Sequence, residues 1–235
     1  MHNQFEYEER YKVSDLISTQ LNLEANGFEL SGHKVQTDHW FIPKYIMSAA
    51  EQAHWFDYDR GYALRLREET VGDLRKVIIT SKQLLYPADH SAMTNNEAEL
   101  STQGLQRVLA PLGSEFDELI QTVAANSSSH SLTLAEAKHL IENAGRKDYI
   151  VINKLRATYH NTGLPNILAD IDSVPDLANT SLGFSAAIEL EYNGSGSLDE
   201  AKAAVRSLSA RLGYKQADIL AMALPGLAIK YLAVF

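Results

Sequence analysis

Charged residues of like sign recur in this chain two positions apart. Glu6 and Glu8, Glu97 and Glu99, Asp170 and Asp172, and Glu189 and Glu191 are carboxylate pairs. Arg65 and Arg67, and Lys154 and Arg156, are cation pairs, and Lys82 stands two residues after Thr80. Carboxylate oxygens are hard ligands suited to Mg2+ or Mn2+. Guanidinium and ammonium groups donate to phosphate oxygens. A site with both sets suits a polyphosphate that arrives with divalent cations, which bridge the carboxylates to the phosphates. Other chemistries lack their parts. The eight histidines make no His-x-x-x-His pair, no Gly-x-Ser-x-Gly elbow prepares a serine nucleophile, and no Gly-x-x-x-x-Gly-Lys-Ser/Thr loop is present.

A spacing of two puts both members of a pair on one face of a β-strand. Around the first pair, Phe5, Tyr7, Tyr11 and Val13 take one face and Glu6, Glu8, Arg10 and Lys12 the other. The same alternation marks strands at Gly61–Glu68, Val77–Lys82, Asn96–Leu100, Tyr149–Tyr159, Ile167–Val174 and Phe184–Tyr192. Phe28–Phe41 is a further extended segment, interrupted at Ser31-Gly32. The stretch Lys44–Asp59 reads as a loop or short helix carrying Tyr45, Trp55, Phe56 and Tyr58. Like charges side by side repel, so a series of such strands is unusual on a plain solvent face.

The helices have start and stop signals of their own. Ser14-Asp15 opens one that runs to about Ala25, with Gly27 past its end. Gln103–Leu112 is amphipathic and stops at Gly113. Ser114–Arg146 reads as a helical hairpin, an insertion with an apolar stripe of Phe116, Leu119, Ile120 and Val123 and a capping box at Thr133 and Glu136. A second capping box, Ser197 and Glu200, opens a helix to about Leu212, and a helical tail broken at Pro225-Gly226 follows. These helices need apolar surface, and the apolar strand faces supply it. Helices on the outside of a curled sheet leave the charged faces pointing inward, where charge persists only if paired or bound to ions.

Composition sets the frame. The chain has 235 residues, 45% hydrophobic and 22% charged, with a net charge of -9 and no cysteine. The length suits one large domain or two small ones, with a single domain over residues 1–235 the expectation, and the absence of cysteine excludes disulfides and thiolate metal sites. The acidic balance argues against nucleic acid as a partner. No apolar run is long enough to span a membrane, and Met1-His2-Asn3-Gln4 has no signal-peptide pattern. The expectation is a cytoplasmic protein with no membrane partner.

In chain order, the motifs resemble those of the CYTH domain, the triphosphate tunnel metalloenzyme family. That family includes class IV adenylyl cyclases, thiamine triphosphatases and inorganic triphosphatases. Its N-terminal Glu-x-Glu-x-Lys is matched by Glu6, Glu8 and Arg10, with arginine for lysine. Its Gln-x-Asp with following aromatics is matched by Gln36, Asp38, Trp40 and Phe41. Leu64–Arg67, Thr80 with Lys82, Glu97 with Glu99, Lys154 with Arg156, Asp172 with Val174, Leu182-Gly183, and Glu189 with Glu191 match the remaining motifs. Trp40 and Phe41 stand where triphosphatase members often have tyrosine, and the spacing from Gly183 to Glu189 is longer than usual.

The resemblance implies an α+β fold, a closed antiparallel β-barrel of about eight strands with a charged interior and helices packed outside. Beside it, the chain's own helical patterns place a helical insertion at 114–146, longer than the family's link to its Lys-x-Arg strand, and a helical C-terminal segment at 197–235. The resemblance assigns triphosphate binding to Arg10, Arg65, Arg67, Lys82, Lys154 and Arg156, and Mg2+ (or Mn2+) to Glu6, Glu8, Glu99, Asp172, Glu189 and Glu191. Lys82, Glu8 and Glu191 are the expected catalytic residues. The implied activity is metal-dependent hydrolysis of a small-molecule triphosphate (inorganic, thiamine or nucleoside) by in-line attack of water on the terminal phosphorus. Adenylyl cyclase action, giving cyclic AMP and pyrophosphate from ATP, is the alternative. A non-catalytic module that binds polyphosphate or nucleotides is a third reading, and a homodimer is left open.

Overall fold

Alternation of apolar and charged residues becomes eight strands, and capped amphipathic segments become the helices around them. The computed structural model describes residues 5–43, 62–86, 89–125, 132–178, 180, 184–220, 224, 225, 227 and 228. In order the elements are β1 (Phe5–Val13), α1 (Leu16–Ala25), β2 (Glu29–Pro43), β3 (Tyr62–Val71), β4 (Leu74–Tyr86), β5 (Asp89–Glu99), α2 (Thr102–Leu109), α3 (Asp117–Ala125), α4 (Leu134–Asn143), β6 (Arg146–His160), β7 (Ile167–Ser173), α5 (Pro175–Ala178), β8 (Ala186–Gly194) and α6 (Leu198–Arg211). The segments Lys44–Asp59, Asn126–His130 and Leu182-Gly183 lie outside the described residues.

The strands close into a barrel in the order β1-β5-β4-β3-β2-β6-β7-β8, each antiparallel to its neighbours. Closure leaves no free sheet edge. The longest ladder joins β2 to β6, from Glu29 opposite His160 to Pro43 opposite Arg146. Two expectations change here. The sequence at Ser31-Gly32 does not interrupt β2; the register shifts between Leu30 and Gly32, so Ser31 is taken up in a bulge and the strand continues. Arg146, expected in the helical region, opens β6, because Pro43 pairs with it across the ladder.

The caps form as the residue types require. Asp15 accepts hydrogen bonds from the backbone N–H groups of Ile17 and Ser18 at the start of α1. Gly27 ends it with φ of +81°, a conformation in which a side chain is strained. The boxes at Thr133–Glu136 and Ser197–Glu200 both close.

Two of the three hydrophobic clusters lie outside the barrel. Tyr7, Tyr11, Val13, Ile188 and Leu190 pack with Ala201, Val205 and Leu208 of α6. Leu64, Leu66 and Ile79 pack with Leu105, Val108, Phe116, Leu119 and Ile141 from the helices between β5 and β6. The third cluster borders the barrel interior: Trp40, Ile42, Ile150, Ile152 and Phe184 pack with Leu224 and Leu227, and Trp40, Ile152 and Leu224 face the tunnel. At about 1.5–3 kcal/mol per buried large apolar side chain, these contacts hold the barrel closed. Among the described residues no helix is long and apolar enough to cross a membrane.

Candidate functional site

Inside the barrel runs a tunnel with a cavity of about 250 Å³. Its lining contains eight carboxylates (Glu6, Glu8, Asp38, Glu69, Glu97, Asp170, Glu189 and Glu191) and eight cations (Arg10, Lys34, Arg65, Arg67, Lys76, Lys82, Lys154 and Arg156). Among the described lining residues the formal charges cancel, so the chemistry lies in how the charges are grouped.

One group is acidic. Glu8 stands opposite Glu191 on the β1–β8 ladder, and carboxylate oxygens of Glu6, Glu8 and Glu191 lie within 4.8 Å of one another. Lys82 Nζ donates to Glu6 Oε1 at 2.5 Å and reaches Glu8 Oε2 at 3.4 Å. Asn95 donates to Glu6 at 2.8 Å, and Asn193 donates to Glu191. Burial, with Glu6 and Glu189 close by, pushes Glu191 up to about 8. Burial and Glu189 likewise hold Glu8 well above the usual carboxylate range. Glu189 is the reverse case. Burial opposes its charge, but Arg10, Arg156 and a hydrogen bond with Glu8 hold it well below that range. Three carboxylates so close repel one another, which disfavours ionising all of them unless further positive charge joins them. An all-oxygen donor set with surplus negative charge fits a hard divalent cation, as Mg2+ or Mn2+ requires.

The second group is cationic and runs through two aspartates. Asp38 of β2 takes Arg67 in a fork, Nε to Oδ1 at 2.5 Å and Nη2 to Oδ2 at 2.8 Å, and lies 3.7 Å from both Arg65 and Lys154. Asp172 of β7 takes a second fork from Arg156, with both bonds at 2.6 Å, and accepts from Lys154 at 2.8 Å. Arg156 also donates to Asp170 at 2.6 Å and to Glu189 at 3.2 Å. Arg10 links the groups, 2.9 Å from Glu189 and 3.2 Å from Glu8. Burial, with Arg156 and Arg67 near, lowers Lys154 to about 8 against the pull of Asp172 and Asp38. Arg65 lies under the ring of Trp40, 5.3 Å from its centroid, and donates to Thr80 at 2.9 Å.

All six expected phosphate-binding cations, Arg10, Arg65, Arg67, Lys82, Lys154 and Arg156, line this one cavity. The expected metal set is divided. Glu6, Glu8 and Glu191 come together, while Glu189 faces Arg10 and Arg156, and Asp172 sits behind the lining under Lys154 and Arg156. Glu99 is exposed at the end of β5, opposite Ile78, and takes no part in the lining. Its partner Ile78 and its strand neighbour Glu97 line the tunnel, so Glu99 shares their face but stands beyond the cavity, at the last position of β5 before the Ser101 cap of α2. Asp38 and Glu69 were not assigned a role from the sequence. Each extends an alternation already visible, Gln36 to Asp38 and Arg65 to Arg67 to Glu69. Glu69 accepts from Gln36 at 2.7 Å and pairs with Lys34 and Lys76.

No family model and no curated protein matches the chain. Solved structures do. A conserved hypothetical protein from Pyrococcus furiosus superposes with a TM-score of 0.63 at 18% identity, covering 94% of this chain and 99% of that one. A Pyrococcus horikoshii protein gives 0.60 at 19% identity, covering 96% and 98%. A Vibrio parahaemolyticus protein described as a "putative adenylate cyclase" gives 0.60 at 13% identity, covering 94% and 96%. The chain thus shares its fold with these proteins along nearly its whole length, and in this chain that fold is a closed antiparallel barrel with a charged interior.

Proposed function

We propose that the protein is a metal-dependent hydrolase of a triphosphate, by in-line attack of water on the terminal phosphorus. The observation that carries this reading is the convergence of six cations and the Glu6–Glu8–Glu191 corner in one cavity of zero formal wall charge. A neutral wall cannot offset a polyanion by itself, so the ligand it suits is a triphosphate that brings divalent cations with it. A divalent cation held by Glu6, Glu8 and Glu191 supplies positive charge to the phosphate oxygens and lowers the carboxyl groups around it.

The chain's own residues do the rest. Arg65, Arg67, Lys154 and Arg156, preset by Asp38 and Asp172, align the phosphate chain without reorganising. Arg10 and Lys82 stand beside the corner, where charge develops as the terminal bond breaks. Glu8 or Glu191, once ionised, takes the proton of the attacking water. Trp40 stands where a tyrosine hydroxyl would be available in many triphosphatases, and its indole covers Arg65 instead, so proton transfer falls to the carboxyl corner.

The second reading is adenylyl cyclase action, in which the ribose 3′ hydroxyl attacks the α-phosphorus. It draws on the Vibrio protein's description and on the absence of that tyrosine. Products separate the readings. Purified protein with Mg2+ or Mn2+ is given inorganic triphosphate, thiamine triphosphate and ATP. Orthophosphate release is the expected result. Cyclic AMP with pyrophosphate would favour the cyclase, and tight binding without turnover would favour a binding module.

A further inference from the structure

Glu9 falls on the otherwise apolar face of β1, and nothing in the tunnel accounts for it. It is 5% exposed. Its Oε1 accepts hydrogen bonds from the Tyr7 hydroxyl at 2.6 Å and from Arg206 Nε at 3.2 Å, and its Oε2 accepts from the Tyr11 hydroxyl. Tyr7 and Tyr11 are buried with Val205 and Leu208 of α6, and Tyr11 stacks on Tyr214 with centroids 4.9 Å apart. Arg206 belongs to α6 and is itself largely exposed. A buried carboxylate with three donors is strongly held in place, since moving it leaves a charge and its donors unpaired.

The clamp sits where the barrel needs it. β1 pairs with β8 from Phe5 to Val13, but with β5 only at Glu6 and Tyr7. Backbone ladders are blind to sequence, and a slip of one residue exchanges the faces of a strand. Such a slip would turn Glu6, Glu8 and Arg10 toward α6 and Glu9 into the tunnel, stripping Glu9 of its donors. We infer that Glu9 is a positioning residue. With Tyr7, Tyr11 and Arg206 it sets the register and pitch of β1, and so holds its chain neighbours Glu8 and Arg10 against Glu191 and Glu189. This rests on the proposed metal and triphosphate site, because the effect is read there.

The test is calorimetric titration of the full chain with Mn2+, beside thermal melting and kcat and KM for inorganic triphosphate. Glu9→Gln keeps the shape of the side chain but opposes its amide to Arg206. It is expected to weaken Mn2+ binding about tenfold, the scale on which residues behind metal ligands act. Arg206→Met, at a residue that touches no lining group, is expected to weaken it in the same direction by less. Ser197→Ala, which destabilises α6 outside the clamp, should lower the melting temperature and leave Mn2+ affinity unchanged. Wild-type Mn2+ affinity and kcat/KM in folded Glu9→Gln and Arg206→Met, with lower melting temperatures alone, would overturn the proposal. If Glu9→Gln does not fold, Arg206→Met decides. Wild-type protein that binds Mn2+ but turns over no triphosphate would refute the activity while the clamp is still judged by binding. If it binds no Mn2+, the metal reading falls, and the same variants are judged by their affinity for inorganic triphosphate alone.

Discussion

At the scale of single residues, the tunnel works by unequal neighbours. Glu191 and Glu189 are two positions apart on β8, yet one is pushed up to about 8 and the other held well below the usual range. The difference is that Glu189 has Arg10 and Arg156 against it while Glu191 has Glu6. Metal binding must therefore displace a proton from Glu191, and apparent Mn2+ affinity should rise with pH up to about 8 and level off above it. In Glu191→Gln, affinity should fall about tenfold or more and that rise should flatten, as calorimetry across pH 6 to 9 would show. Asp38 has the opposite character. It is buried between Arg67, Arg65 and Lys154, and Asp38→Asn leaves those cations short of a counter-charge. It should destabilise the protein by about 3 kcal/mol, measured by urea unfolding, and abolish turnover.

At the scale of elements, several walls of the tunnel are strands whose outer face packs on a helix. β1 leans on α6 through Tyr7, Tyr11 and Glu9. β2 is tied toward α4 through His39, which meets Asp148 at 3.1 Å while Lys138 reaches the same carboxylate at 2.6 Å. Helix caps then matter for stability rather than chemistry. Ser197 accepts from the backbone N–H of Glu200, and Ser197→Ala should cost about 1 kcal/mol by urea unfolding. The elements were readable where pattern and cap agreed, as at Ser197–Glu200 and Thr133–Glu136. They were misread where a partner strand overrides pattern. Ser31-Gly32 looks like a break, and β6 extends it into a bulge; Arg146 looks helical, and Pro43 draws it into a strand.

At the scale of the whole molecule, the barrel has two of its apolar clusters outside the sheet and a charged tunnel within, bordered at one place by the cluster of Trp40 and Ile152. Such an interior makes stability depend on pH. Glu191 has a folded pKa near 8 against about 4.5 unfolded, so its protonated form contributes stability fully below about 4.5 and loses it as pH rises through 8. Glu8 acts in the same direction. Without divalent cations, melting temperature should decline from pH 5 to pH 8, and Mn2+ should restore it most at the upper end. Differential scanning fluorimetry with and without Mn2+ checks both arms, and a flat profile without metal would contradict the charge arrangement described for the corner.

The sequence alone determined which residues share a face, because a period of two is a local property of extended backbone. Glu6 with Glu8, Arg65 with Arg67 and Lys154 with Arg156 were paired by spacing, and the six cations do line one cavity. The order of motifs then pointed to a closed tunnel, as found. What spacing cannot give is distance between strands. Only closure of the barrel decided that Glu191 joins Glu6 and Glu8 while Glu189 goes to the arginines, that Glu99 stands exposed beyond the cavity, and that Asp38 anchors three cations from β3 and β6. The physical reason is register: the ladders that place Glu8 opposite Glu191 and Arg10 opposite Glu189 join residues nearly two hundred positions apart along the chain.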